Sequence, residues 1–419
     1  MTGFLKTAVP LMLLLCGGWL CIRLKGFPFL HPLRTLRAAG GSADSRRALW
    51  MALGGTLGVG NIAGVCLALA VGGAGSLLWM WICALLAMFI KYAEVTLALG
   101  GARSAHPFAP APSLSYLFGD SRLSRAGGLL FCLCGVGLTV TLGGMIQSNA
   151  VAASFADTFH FSPFLTGVLL SALTFGVISG GGKRISAVTL RLIPLAAVLY
   201  SLLCLGVIFR CRAALPKALA DILSGAFSLR AAGGGSVGWL VALKTGCARG
   251  LLSNEAGCGT APMAHATADG TDPARQGVMG MIEVAVDTLL LCTLTGVAVL
   301  SAFPGGLPPV GTGLEPVMQA LSRTFGRGAA VLLSVLVLLF AFGTVICWGY
   351  YGEVCYRALT GGGRLAMRFY PFLLPLAVLF GAVLAPAFLW SATDLLLGLM
   401  VTVNLAAVVR CRGEIVPPF

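Results

Sequence analysis

Two apolar stretches of the sequence are interrupted by residues that could bind an ion or a polar ligand. The first, GGTLGVGNIAG at 54–64, has five glycines among eleven residues. The second, ARGLLSNEAGCGTAP at 248–262, places charged and amide side chains inside an apolar span. Each stretch contains an asparagine three positions before a glycine, Asn61 in the first and Asn254 in the second. Glu255, next to Asn254, is expected to hold the interrupted backbone in place rather than to bind a ligand.

Interrupting a helix inside a bilayer frees N–H and C=O groups, which cost several kcal/mol each when nothing satisfies them. The N-terminal end of one half-helix suits a carboxylate, and the carbonyls that end the other half suit a small cation. Two interrupted apolar segments at corresponding positions therefore predict the binding site of a transporter. The alternative is that the glycines at 54–64 only allow close packing of helices.

Charged residues inside other apolar segments are further candidates. Glu283 and Asp287 lie one helical turn apart and could pair with Arg249 or relay protons, because carboxylates at membrane depth are functional candidates. Lys91 and Glu94 lie three positions apart, a spacing that predicts a structural ion pair.

The composition sets the class of protein. Of the 419 residues, 58% are hydrophobic and only 10% are charged, whereas soluble domains carry about 25% charge. Apolar runs of this length indicate a helical membrane protein with many spans, and they exclude a soluble enzyme, a nucleic-acid-binding module and a disordered regulator. The GGGKR sequence at 180–184 departs from a phosphate-binding loop, and no motif of a membrane enzyme is present. The fourteen cysteines form no paired ligand pattern, so neither a metal cofactor nor a disulfide framework is expected.

The apolar runs predict eleven membrane-spanning helices. They lie at about 8–22, 47–71, 75–99, 127–153, 163–180, 190–209, 236–262, 276–302, 329–352, 370–386 and 389–409. If the first helix is additional, ten helices remain, and the interrupted segments open two halves of five. The predicted organisation is an extra helix with a cytoplasmic loop at 1–46, a first repeat at 47–209, an extracellular connection at 210–235 and a second repeat at 236–419.

The distribution of Lys and Arg predicts the orientation. With the N-terminus outside, 19 basic residues fall on the cytoplasmic side and 7 on the outer side. Cytoplasmic loops carry the excess of Lys and Arg in membrane proteins. The sequence thus predicts a multi-pass protein of the plasma membrane with its C-terminus in the cytoplasm.

The two interrupted segments resemble those of the alanine or glycine:cation symporter family, the sodium:alanine/glycine symporters. The resemblance is carried by GGTLGVGNIAG at 54–64, SNEAGCGTAP at 253–262, GGMIQSN at 143–149 and FAFGTVICWGYYGE at 340–353, and it extends over essentially the whole chain. It implies an all-α polytopic membrane protein with the leucine-transporter fold. That fold is a five-plus-five inverted repeat, here with one extra N-terminal helix and eleven transmembrane helices in all.

The resemblance also implies roles for individual residues. The implied substrate-binding residues are Thr56, Gly58, Gly60, Asn61, Gln147, Asn254 and Trp348. Sodium is expected at Thr344 and the backbone carbonyls near Gly55–Gly58, and the coupling or gating candidates are Glu255, Glu283 and Asp287. Three positions depart from the family pattern, Val59, Gly144 and Gly343, and they leave the cation stoichiometry and the substrate preference open.

The sequence therefore predicts sodium-coupled symport of a small neutral amino acid, alanine or glycine, into the cell. Trp348 is expected to limit the size of the substrate side chain. The expected partners are the amino acid, the sodium ion and the lipid bilayer, with no nucleic acid and no cofactor. Two alternatives stay open: a proton-coupled carrier of the same fold that uses Asp287 or Glu283, and a relative that senses without transporting.

Overall fold

The computed structural model describes residues 2–101, 111–228, 238–268, 270–311, 313–384 and 386–418, and within these ranges it contains helices and no β-strand. The end of the predicted connection 210–235 lies outside the described residues. The helices are α1 (Thr2–Arg23), α2 (Phe27–Leu30), α3 (Pro32–Ala38), α4 (Ala43–Thr56), α5 (Ala63–Gly72), α6 (Ser76–Gly101), α7 (Arg122–Phe159), α8 (Pro163–Ile178), α9 (Gly181–Arg210), α10 (Leu215–Phe227), α11 (Gly238–Asn254), α12 (Ala261–His265), α13 (Pro273–Ala302), α14 (Glu315–Phe325), α15 (Arg327–Thr360), α16 (Arg364–Val383) and α17 (Pro386–Arg410).

The described helices include enough long apolar segments for a multi-pass membrane protein. Seven are long and apolar enough to cross a bilayer, and α4 with α5 adds an eighth span if the two are one helix bent by 64°. The prediction of an all-helical membrane protein is confirmed.

The first predicted interruption is a real break in the helix. α4 ends at Thr56, Gly58 is extended, and a single 3-10 turn over Val59–Asn61 precedes α5. A β-carbon at Gly58 would lie 2.6 Å from Oγ1 of Thr344 on α15. Such a distance is far below van der Waals contact, so the close approach of α15 requires a glycine here.

The second interruption separates α11 from the short helix α12. Three of the five residues after Asn254 have positive φ angles: Glu255 at 53°, Gly257 at 88° and Gly259 at 72°. Glycine adopts this left-handed conformation freely, whereas a glutamate does so at a cost of about 1–2 kcal/mol. Pro262 lies in the first turn of α12, where its missing N–H is not needed.

The two breaks lie side by side in the core. A β-carbon at Gly60 would lie 3.7 Å from Cα of Ser253, the residue before Asn254. Two π-helical turns flank them, over Thr139–Ile146 in α7 and Ala285–Cys292 in α13. Turns of this kind widen a helix locally and occur often at functional sites.

Candidate binding site

A small cavity lies against both breaks. Its free volume is about 10 Å³, so the cavity is closed around little more than the space of one water molecule. Residues from five segments line it: Gly55, Thr56, Gly58, Gly60, Leu142, Ile146, Gln147, Leu252, Glu255, Thr344 and Trp390. The lining combines backbone of the first break, the amide of Gln147, two threonine hydroxyls, the carboxyl of Glu255 and four large apolar side chains, which is the mixture that small-molecule sites use.

The first break presents backbone N–H groups to amide oxygens. The N–H of Gly58 donates to Oδ1 of Asn61 at 3.1 Å, and the N–H of Val59 donates to Oε1 of Gln147 at 3.2 Å. Nε2 of Gln147 donates in turn to the carbonyl of Leu142 in the π-helical turn, at 3.3 Å. Both N–H groups are therefore directed at acceptor oxygens, which is the interaction that a carboxylate would make.

Oxygen atoms suited to a small cation lie at the same break. Oγ1 of Thr344 is 3.4 Å from the carbonyl oxygen of Leu57, the first residue after α4. The hydroxyl of Thr56 reaches back to carbonyls within its own helix, at 3.4 Å. Of the predicted sodium ligands, Thr344 and a carbonyl between Gly55 and Gly58 are therefore close together.

Glu255 joins the second break to α15. Its carboxylate accepts a hydrogen bond from Nε1 of Trp348 at 2.9 Å and another from Oγ1 of Thr260 at 2.7 Å. All three side chains are buried. These bonds hold a residue whose φ angle is unfavourable, and they turn the indole of Trp348 toward Glu255. Trp390, which the sequence analysis did not select, lines the cavity instead.

A buried carboxylate on α13 joins the two breaks. Asp287 accepts from Nδ2 of Asn61 at 2.6 Å and from Oγ of Ser253 at 2.8 Å. Asn254 donates to Oγ1 of Thr288 at 3.1 Å and accepts from the backbone N–H of Ala256 at 3.0 Å. The side chains of Asn61 and Asn254 thus shape the breaks, and neither residue is among those that line the cavity.

A second buried network surrounds Lys91. Nζ of Lys91 lies 3.0 Å from Oε1 of Glu283, and both side chains are buried. Nε2 of His265 lies 3.3 Å from the other oxygen of Glu283. The predicted pair of Lys91 with Glu94 is wrong: the carboxylate of Glu94 accepts instead from the N–H of Gly259 and from the side-chain amide of Asn404.

The predicted pairing of Arg249 with Glu283 or Asp287 is also wrong. The guanidinium of Arg249 lies over the ring of Trp390, 5.0 Å from its centre. Glu283 instead pairs with Lys91, and Asp287 accepts from neutral donors.

A larger cavity leads toward the site. Its free volume is about 270 Å³, it is partly open, and it is bounded by α1, α5, α11 and α17. Lys244, Arg249 and Asp394 give it a polar lining, and Leu252 lines both this cavity and the small one. Leu252 and the stacked Arg249 and Trp390 thus stand between the open cavity and the site.

At two of the three positions that depart from the family pattern, a side chain would meet neighbouring helices rather than the cavity. A β-carbon at Gly144 would lie 2.8 Å from Leu374 and 3.2 Å from Ala377, both on α16. A β-carbon at Gly343 would collide with Ile193 of α9. These glycines therefore fit the packing of neighbouring helices.

The long apolar helices and the two broken segments beside a buried cavity are those of a multi-pass membrane transporter. The chain matches the sodium:alanine symporter family over residues 2–416, and it belongs to that family.

Relatives that have been named for a function differ in their substrate and in the ion to which transport is coupled. The chain is 34% identical to the sodium/alanine symporter AgcS of Methanococcus maripaludis, over 90% of this chain and 83% of that protein. It is 34% identical to the probable sodium/glutamine symporter GlnT of Bacillus subtilis, over 86% and 75%. It is also 32% identical to the putative sodium/proton-dependent alanine carrier protein YrbD of Bacillus subtilis, over 87% and 78%.

Proposed function

We infer that this protein carries a small neutral amino acid, alanine or glycine, into the cell together with sodium. The observation that carries this inference is the cavity beside the first break. There, the N–H groups of Gly58 and Val59 donate to amide oxygens, and the hydroxyl of Thr344 lies 3.4 Å from the carbonyl oxygen of Leu57. Once the closed cavity widens to admit substrate, a zwitterion and a cation can bind next to each other at this break, so that each stabilises the other.

The carboxylate of the amino acid replaces the amide oxygens at the N–H groups of the first break. Its ammonium group lies toward Gln147 and the unwound backbone of the second break at Glu255. Leu142, Ile146, Leu252 and Trp390 surround the remaining space and limit the side chain to a small apolar group.

The sodium ion binds between Oγ1 of Thr344 and the carbonyl of Leu57. Sodium is small and prefers several oxygen ligands, and carbonyls at the end of a half-helix carry partial negative charge. The neighbouring carboxylate of the substrate adds a full negative charge, which provides a physical reason for coupling.

The proposed architecture is the five-plus-five inverted repeat preceded by α1, with eleven spans. α4 with α5 is followed by four long helices, α6 to α9, and α11 with α12 is followed by α13, α15, α16 and α17. Because five spans separate the start of one half from the start of the other, the halves enter the membrane from opposite sides.

This orientation places the large cavity outside and the Lys91 network inside. With the N-terminus outside, Val9, Leu67 and Lys244 all lie in the outer halves of their helices, and these residues line the large cavity. The inner side is closed by buried ion pairs and hydrogen bonds around Lys91 and Glu283. Transport then requires Leu252 and Trp390 to close over the substrate before the inner network opens.

The test is uptake of labelled alanine, glycine and glutamine into proteoliposomes that contain the purified protein. Sodium is replaced by choline at constant pH in one arm, and a proton gradient is imposed without sodium in another. Sodium-dependent uptake of alanine or glycine is the expected result. Uptake that is independent of sodium and driven by the proton gradient would show proton coupling, with Asp287 or Glu283 as the proton carrier. Efficient uptake of glutamine would contradict the assigned substrate size.

A further inference from the structure

A groove with two arginines runs along the outer face of α9. It is open to the surface and has a free volume of about 430 Å³. Arg184 and Arg191 lie at one end, and the remaining lining is apolar, including Leu192, Leu195 and Leu339 of the neighbouring helix α15. Arg184 and Arg191 are two helical turns apart and so share one face of α9, about 10 Å from each other along the axis.

The groove has positive charge without a protein counter-charge. α9 contains no acidic residue. Arg184 donates to the backbone carbonyl of Gly176 at 2.7 Å, and Arg191 has no hydrogen-bond or ion-pair partner within the residues that the structure describes. The nearest acidic residue on α15, Glu353, is paired with Arg357 at 2.8 Å.

The depth of the two arginines in the bilayer fits a lipid headgroup. α9 has 30 residues and is about 45 Å long, whereas the hydrocarbon core is about 30 Å thick. Arg184 lies in the first turn of the helix. Arg191 lies about 15 Å from the helix start, which for a centred helix is about 7–8 Å inside the hydrocarbon, a depth from which a long arginine side chain reaches the headgroups. An unpaired arginine at membrane depth is costly, and a phosphate provides both its counter-charge and bidentate hydrogen-bond acceptors.

We propose that this groove binds one anionic phospholipid, with the phosphate between Arg184 and Arg191 and an acyl chain along Leu192, Leu195 and Leu339. The opposite face of α9 contacts the transport core. A β-carbon at Gly54 in α4 would lie 3.1 Å from Cγ2 of Thr189. The bound lipid therefore supports the helix that packs behind the first break.

The experiment is native mass spectrometry of the full-length protein in detergent, titrated with dioleoyl phosphatidylglycerol or with dioleoyl phosphatidylcholine. The tested variant is Arg184→Gln with Arg191→Gln. The matched control is Arg210→Gln, because Arg210 lies at the opposite end of the same helix. Size-exclusion profiles verify that each variant is folded, and Arg191→Lys tests whether positive charge alone is sufficient.

One tightly bound phosphatidylglycerol is expected on the wild type and on Arg210→Gln, with about tenfold weaker binding to the double variant, which corresponds to about 1.4 kcal/mol. Phosphatidylcholine should not replace it at equal concentration. Equal binding of the two lipids, or unchanged binding to the double variant, would overturn the proposal. Displacement of the lipid by millimolar inorganic phosphate would show that the acyl chain does not contribute to binding and would contradict the proposal. Since no uptake is measured, the result is independent of the proposed transport function.

Discussion

Replacing Trp390 by alanine should enlarge the range of substrates. Trp390 lines the small cavity, whereas the indole of Trp348 is buried and donates to Glu255. Removing the Trp390 ring opens space at the side of the cavity that faces the large outer cavity. Leucine has three more carbons than alanine, and at about 0.8 kcal/mol each they are worth up to about 2.4 kcal/mol, or roughly fifty-fold in affinity.

The assay is competition by leucine, methionine and alanine against uptake of labelled alanine in proteoliposomes. The Trp390→Ala variant should be inhibited by leucine, while alanine binding weakens because the stacking of Arg249 on the ring, worth about 0.5–2 kcal/mol, is also lost. Trp390→Phe is the matched control, since it keeps an aromatic ring at the same position. If Trp390→Ala leaves the selectivity unchanged and a Trp348→Ala variant admits leucine, the assignment of Trp390 is refuted.

Three further predictions concern the breaks. Thr344→Val should raise the sodium concentration needed for half-maximal uptake at least tenfold, whereas Thr344→Ser should leave that concentration near the wild-type value. If both variants give the same sodium titration, Thr344 is not a sodium ligand. Trp348→Phe should lower stability by about 1–3 kcal/mol, because the buried carboxyl of Glu255 loses the hydrogen bond from the indole, and a melting temperature equal to that of the wild type in detergent would contradict this. Gly58→Ala should abolish uptake while the protein remains monodisperse, because its β-carbon would occupy the place of the Thr344 hydroxyl; normal uptake by this variant would show that the site tolerates the displacement.

The sequence predicted the breaks well because their signal is local. Glycines, an asparagine and a proline at membrane depth disfavour a continuous helix whatever surrounds them. The predicted segments at 54–64 and 248–262 contain the observed interruptions, between Thr56 and Ala63 and between Asn254 and Ala261.

The apolar wall of the cavity could not be predicted in the same way. Leu252 and Trp390 carry no sequence signal of their own and are about 140 positions apart, and only the tertiary fold brings them to one cavity. The partner of Lys91 was missed for a related reason. Glu94 is close in sequence, but its carboxylate is taken by Gly259 and Asn404, so Lys91 pairs with a residue from another helix.

Asp287 has a consequence for the energy of the transport cycle. Its carboxylate accepts from Asn61 in one break, at 2.6 Å, and from Ser253 at the edge of the other, at 2.8 Å. Hydrogen bonds to a charged group are worth about 1.5–3 kcal/mol each, so separating the two breaks would cost several kcal/mol. We therefore expect the breaks to move as one rigid body, and a cation bound at the first to change the affinity of ligands at the second through thermodynamic linkage. Such a linkage limits uncoupled passage of the ion, since a protein that has bound only one of its two ligands cannot move one break without the other.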